Sequence, residues 1–224
     1  MAPLIIKGSL IKTVIFDFDG TLAKLNIDFA RMRREVVRII ASYGVDVSEI
    51  KASFVLEMIA AAAAVLGSNS PQKAQLLRRE AMGFVENIEM QAARQGELFP
   101  PTRELLSFLK AKNISRAVVS RNCQKAIFKV FPEILCYCDV VICRDAVEKV
   151  KPDPLHLRAA LHQIRGDAAS ALMVGDHPLD IEAGQQAGTL TAGVLTGNFQ
   201  EADFRQAGAD IVMSQASCLM EMIA

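Results

Sequence analysis

Apolar and polar positions follow two textures along this chain. In the first, short β-rich apolar runs end in polar residues, at 13–16, 117–119, 140–143, 171–174, 190–194 and 211–213. Continuous apolar runs of this kind suit strands buried on both faces, as in a parallel sheet. Between them, 102–112 carries Leu105, Leu106, Phe108 and Leu109 at helical spacing, and 154–164 and 181–187 behave alike. Strands alternating with helices predict an α/β fold, with a doubly wound, mostly parallel sheet of Rossmann-like layout. Such sheets bind ligands beyond the carboxyl ends of their strands.

The second texture fills residues 24–96 and contains no convincing strand. Stretches 29–43, 48–66 and 71–94 read as three helices; Gly44 and Gly67 sit just past the first two, and Ser48 and Ser70 are N-cap candidates. Phe99-Pro100-Pro101 then makes a stiff return to the sheet. The expected organisation is an α/β core of residues 1–23 and 97–224, with a helical module, 24–96, inserted after the first core strand.

With 224 residues, 51% of them hydrophobic and 22% charged, the composition is globular and the length suits a core domain carrying an insertion. Lys plus Arg equals Asp plus Glu at 25 each, so no global field favours nucleic acid or an acidic membrane. A charged substrate must therefore be held locally. The longest purely apolar run, 58–66, is too short to cross a bilayer, and the opening residues lack the pattern of a secretory leader. Five cysteines without a CxxC pair suit reduced thiols better than disulfides or zinc. The expected setting is the cytoplasm, as a monomer or weak homodimer, with no nucleic-acid or membrane partner.

Candidate chemistry sits where the apolar runs end. The first run ends in Phe16-Asp17-Phe18-Asp19-Gly20-Thr21-Leu22. Residues two apart on an extended chain point the same way, so Asp17 and Asp19 share one side while Phe16 and Phe18 face the core. Gly20 lets the backbone leave the sheet sharply. Two close carboxylates repel, and one takes up a proton unless a cation lies between them, as a nucleophile beside a proton donor requires. After 117–119 comes Ser120-Arg121-Asn122, where a hydroxyl and backbone amides could hold phosphate oxygens. Lys151-Pro152-Asp153-Pro154 puts a lysine near a helix start, an unfavourable place for a cation unless it faces carboxylates. Finally, Met173-Val174-Gly175-Asp176-His177-Pro178-Leu179-Asp180 is again an apolar strand breaking into paired acids. Each signal alone has a bland reading as well: solvated strand-end acids, ordinary turn chemistry, a surface lysine, an N-cap with a first-turn acid.

Taken in order, Asp-x-Asp-Gly-Thr, a strand-end Ser, Lys-Pro and Gly-Asp-x-x-x-Asp resemble the four motifs of the haloacid-dehalogenase superfamily, and the helical block sits where that superfamily carries an α-helical cap. The chain looks like the phosphoglycolate-phosphatase-like branch. The resemblance implies a Mg2+-dependent phosphomonoester hydrolase acting on a small phosphorylated metabolite. Asp17 would be the nucleophile that becomes an aspartyl phosphate, and Asp19 the general acid and base. Lys151 would neutralise Asp17 and the phosphoryl group. Gly20, Ser120, Arg121 and Asn122 would bind the phosphoryl end of the substrate. Asp17, Asp19 through its carbonyl, Asp176 and Asp180 would hold the metal, for which an all-oxygen set fits magnesium better than zinc. Arg31, Arg33 and Arg34 are candidates for a second anionic group of the substrate or for a solvated face. His177 and Arg121 depart from the commonest pattern. A phosphomutase or phosphotransferase of the same fold, or a non-catalytic phospho-ligand binding module, is the alternative; the second acid, Asp19, argues against a dehalogenase.

Overall fold

The computed structural model describes residues 3–223. The chain opens with a small hairpin, β1 (Ile5–Ile6) against β2 (Ser9–Leu10), closed by Lys7 and Gly8 with φ of 48° and 80°. Two consecutive left-handed residues are the mark of a tight two-residue turn. The apolar pattern gave no hint of it because each strand has only two residues.

β3 (Thr13–Phe16) follows, buried at every position, and then β4 (Ala23–Lys24). Next come α1 (Phe29–Ser42), α2 (Val55–Gly67) and α3 (Pro71–Ala93), and β5 (Glu97–Leu98), which returns to pair antiparallel with β4. The remainder alternates: α4 (Thr102–Ala111), β6 (Ser115–Ser120), α5 (Gln124–Val130), α6 (Ile134–Tyr137), β7 (Val140–Cys143), α7 (Leu155–Ile164), β8 (Ala171–Gly175), α8 (Pro178–Ala187), β9 (Leu190–Val194), α9 (Glu201–Gln206) and β10 (Ile211–Met213). The chain divides into two compact units, one built from the chain up to Leu25 with that from Gly96 onward, the other from Asn26–Gln95.

In the larger unit six strands form one sheet in the order β10-β9-β8-β3-β6-β7, every pairing parallel. The predicted doubly wound α/β architecture is what the chain adopts. Ile15, Val119, Ile142 and Met173 pack against Leu157, Ala160 and Leu161 of α7 and Ala183 of α8, while α4 lies against β6 and the 216–220 turn. From β3 the chain moves outward through β6 to β7, then returns to β8 on the other side of β3. β3 and β8 therefore flank the point where the winding reverses, the place where open α/β sheets form a crevice at their carboxyl ends. Phe16, the last residue of β3, stands level with Val118 of β6 and Val174 of β8, so the residues that follow emerge at one rim.

In the helical unit, α1 begins where expected, with Asp28 accepting from Arg31 N–H, and Gly44 at φ 78° lies just past its end. The second helix differs from expectation. It starts at Val55 rather than at Ser48, because Asp46 takes both the N–H and the hydroxyl of Ser48 at 2.9 and 2.7 Å. That local turn consumes the group read as an N-cap and leaves 47–49 as a single 3-10 turn. Gly67 is the last helical residue rather than the one beyond it, and Ser70 occupies the N-cap position of α3 without a side-chain cap bond.

Candidate active site

The site is assembled from three strand ends and one connection. Asp17 leaves β3 still in register, its N–H donating to Val174 O at 2.9 Å, with the flanking Phe16 and Phe18 fully buried. The chain then turns at Gly20, whose φ of 85° is closed to most side chains. Asp176 follows β8 directly, and Asp180 lies in the first turn of α8. Lys151 comes in from the connection between β7 and α7, where its peptide with Pro152 is cis.

These residues, distant in sequence, converge. The Lys151 ammonium lies 2.5 Å from Asp17 Oδ1 and 2.7 Å from Asp180 Oδ1, and Lys151 is only 1% exposed. Asp17, Asp176 and Asp180 each offer a carboxylate oxygen, and these oxygens lie within 4.8 Å of one another. Asp180 is held from behind by His177, whose N–H donates to Oδ2 at 3.2 Å while its ring Nδ1 accepts from Leu179 N–H at 3.0 Å. Thus His177, half-buried with its ring 4.4 Å from that of Phe199, caps α8 and fixes a site acid.

Close approach depends on missing side chains. A Cβ on Gly20 would come within 2.2 Å of Asp176 Oδ2, and one on Gly197 within 2.1 Å of the same oxygen. The two glycines therefore leave the slot in which this carboxylate sits. Thr196 ties their loops together, its hydroxyl donating to Gly20 O at 2.5 Å.

Crowding three acids against one lysine perturbs protonation. Burial pushes Asp17 up to about 7, with Lys151 lowering and Asp180 raising it. Burial, followed by Asp17 and Asp180, lifts Asp176 to about 8. Lys151 would be lowered by burial, but Asp17 and Asp180 outweigh that and hold it above its usual value. The cluster thus carries more negative charge than one ammonium balances. Its donors are all carboxylate oxygens, a set that fits a hard divalent cation.

The other candidate residues separate into those that face the centre and those engaged elsewhere. Asp19 stays outside the three-acid cluster, and its Oδ1 accepts from Leu25 N–H at 2.9 Å. Ser120, buried at the end of β6, accepts from Asn122 N–H at 3.2 Å. Asn122 is 8% exposed, yet its Nδ2 has no hydrogen-bond partner. Arg121, expected to bind substrate, donates to the main-chain carbonyl of Lys151. On α1, Arg33 donates to Ser53 O.

Four contributors went unnoticed in the sequence. Thr196 and Gly197 look like an ordinary turn after an apolar strand, although a Thr-Gly pair at a strand's carboxyl end was a usable signal. Arg144 directly follows β7 and is 6% exposed; its Nη1 donates to Arg121 O at 3.2 Å, bracing the loop beyond Ser120. His156, fully buried in α7, reads as one more position of an apolar helix face, but its Nδ1 accepts from Lys151 N–H at 3.2 Å.

The geometry is that of a parallel α/β sheet with acids and a lysine gathered where its winding reverses. The family model of haloacid dehalogenase-like hydrolases matches residues 14–194, and the chain belongs to that family. It is 30% identical over 219 residues to an N-acetylmuramic acid 6-phosphate phosphatase of Pseudomonas putida, covering 95% of this chain and 96% of the relative. It is 25% identical over 220 residues to a phosphoglycolate phosphatase of Vibrio parahaemolyticus, covering 96% of each. Among solved structures, a hydrolase from Pseudomonas syringae shares the fold with a TM-score of 0.68 at 20% identity, over 94% of this chain and 96% of that one.

Proposed function

We propose that this chain is a Mg2+-dependent phosphatase of small phosphorylated metabolites that works through an aspartyl phosphate on Asp17. The observation that carries the reading is the Asp17 carboxylate, 2.5 Å from a buried lysine and within a cluster of three acids at the sheet's winding reversal. It is supported by the relatives, whose names describe phosphatases of N-acetylmuramic acid 6-phosphate and of phosphoglycolate. Both of those compounds are phosphomonoesters of small molecules, and the same class is proposed here.

Asp17, Asp176 and Asp180, with the carbonyl of Asp19, would hold the magnesium ion. When bound, the ion supplies charge neutralisation for the acids and the phosphoryl oxygens. Asp17 attacks phosphorus, forming a bond from its carboxylate oxygen as the bond to the leaving oxygen breaks. Asp19 delivers its proton to that leaving oxygen, so the alcohol departs neutral. It then takes a proton from a water that attacks phosphorus, and the bond to Asp17 breaks to release inorganic phosphate. Lys151 keeps Asp17 ionised next to an anionic substrate.

Phosphoryl oxygens need donors that do not have to reorganise. Ser120 contributes its hydroxyl, and Asn122 its Nδ2, a buried amide nitrogen without a partner. Leaving such a donor unmatched costs about 1–3 kcal/mol, and a phosphoryl oxygen recovers it. Gly20 shapes the slot for Asp176, and Arg121 holds the main chain of Lys151. The helical unit, Asn26–Gln95, is assigned the role of a cap, with exposed Arg31 and Arg34 available to a second anionic group. No helix among the described residues is long and apolar enough to cross a membrane, and a cytoplasmic enzyme is the setting proposed.

The test is release of inorganic phosphate from a generic aryl phosphate with magnesium, comparing wild type with Asp17→Asn and with wild type in excess chelator. Activity should need both the carboxylate and the metal. An inert wild type, or a variant as active as wild type, refutes the nucleophile; full activity in chelator refutes the metal. Product appearing as a rearranged phosphate ester without free phosphate would favour a mutase.

A further inference from the structure

The main chain of Lys151 is gripped from two sides by side chains that take no other place in the proposed reaction. On one side the Arg121 guanidinium donates to its carbonyl oxygen. On the other, His156 Nδ1 accepts its N–H at 3.2 Å. His156 is anchored in turn in the first turn of α7, its own N–H donating to Asp153 O at 3.3 Å.

The imidazole is costly where it stands. His156 is fully buried, and its Nε2 finds no hydrogen-bond partner. An aliphatic side chain would fill the same space against the apolar face of α7 without burying a polar nitrogen. What an aliphatic residue lacks is the lone pair on Nδ1. Burial, and then the charge of Lys151, push the imidazole down to about 3, so the ring stays neutral and the lone pair is present at any working pH. Lysine has a flexible stem of four methylene groups, and its ammonium is only as well placed as the backbone that carries it. Here it must meet Asp17 and Asp180 at once, at 2.5 and 2.7 Å.

We propose that His156 is a positioning residue: by accepting the Lys151 N–H inside the core, it sets the backbone from which the ammonium reaches Asp17 and Asp180. This rests on the reading of Asp17 as nucleophile and Lys151 as its partner.

The test compares His156→Leu with His156→Asn in the full chain. Asn and Leu share the same branched skeleton of four side-chain heavy atoms, Asn being the smaller, but only Asn carries an acceptor bonded to Cγ where Nδ1 was. Misplacing a reacting group by about 1 Å can cost about 100-fold, so H156L should lose roughly 10- to 100-fold in kcat for an aryl phosphate, with KM changed far less. H156N should recover most of that loss. If H156L does not fold, His156→Met, whose flexible chain adapts to the space, replaces it in the comparison. The proposal is overturned if an apolar variant keeps wild-type kcat, or if H156N is as impaired as the apolar variant at equal thermal stability. It is also overturned if both apolar variants fail to fold while H156N folds, which would make the residue a matter of stability alone. A wild type inert toward phosphomonoesters would remove the phosphatase reading and this inference with it; an active wild type with unaffected variants removes only the inference.

Discussion

Replacing Lys151 by Met tests how the acid cluster is balanced. Met keeps most of the stem's volume and removes the charge. Lys151 is 1% exposed and touches two carboxylates at 2.5 and 2.7 Å, so its loss leaves Asp17 and Asp180 facing Asp176 with no counter-charge from it. Gross attraction of about 4 kcal/mol per pair at an effective dielectric of about 20 is largely offset by the cost of burying the charges. Removing one partner of a buried pair nonetheless costs about 3–5 kcal/mol, because the remaining charges stay buried. For a chain of this size about 2–4 °C of Tm accompanies each kcal/mol, so a fall of roughly 6–20 °C is expected in metal-free buffer at pH 8.5.

The deficit should depend on pH with a definite sign. Asp17 is already raised to about 7 with the lysine present, and without it the carboxyl holds its proton to higher pH still. The folded variant then binds more protons than folded wild type above pH 7, so its stability falls more steeply as pH rises. The gap between the two proteins is therefore smaller at pH 6.5 than at 8.5. Calorimetric unfolding of both proteins in chelator at the two pH values measures it. Equal Tm values at pH 8.5, or a gap that widens as pH falls, would refute the view that Lys151 compensates the acids.

Wild type without metal should itself lose stability between pH 6.5 and 8.5. Asp17 and Asp176, raised to about 7 and about 8, bind protons in the folded state that the unfolded chain has already released, and the stability so gained disappears as pH rises through those values. Buried His156, depressed to about 3, acts in the opposite sense only below about 6.5, outside this window. Added Mg2+ should raise Tm more at pH 8.5 than at 6.5; a shift that is larger at 6.5 would contradict the acid cluster as the binding site. Gly197→Ala would drive a Cβ to 2.1 Å from Asp176 Oδ2, so the carboxylate must move. The Mg2+ concentration for half-maximal activity should rise about 10- to 100-fold, read from a metal titration, and an unchanged requirement would count against the slot.

How much of this was legible follows from the range of the forces involved. The six strands of the main sheet could be read off because strands buried on both faces need nearly continuous apolar runs, and 13–16, 140–143 and 190–194 carry no charged residue and at most a threonine and a glycine among the apolar ones. The start of helix α2 could not be placed, because a single Asp46 carboxylate drew Ser48 into a local turn, and no periodicity reports that competition. Asp17 and Asp176 were legible because a carboxylate at the end of a buried strand must be used or paid for, whereas Lys151 and Asp180 were read from the order of the four motifs together.

The supports of those residues were not, and the reason is geometric rather than chemical. Thr196, Gly197, Arg144 and His156 act on the site through a main-chain atom or through space they leave empty. Gly197 matters only because Asp176 Oδ2 would lie 2.1 Å from its missing Cβ, and His156 only because Lys151 N–H comes within 3.2 Å of its ring. Neither fact is a property of residue type, since a glycine after a strand and a histidine on an apolar helix face suit many folds equally. Charge declares itself in sequence because burying it is expensive wherever it happens. A hydrogen bond to a backbone amide, or a gap the size of one carboxylate, acquires meaning only when winding reverses between β3 and β8 and brings the connection carrying Lys151 over the rim. In this chain, then, the atoms proposed to react can be named from the sequence, whereas the distances that would let them react are set by residues only the fold identifies.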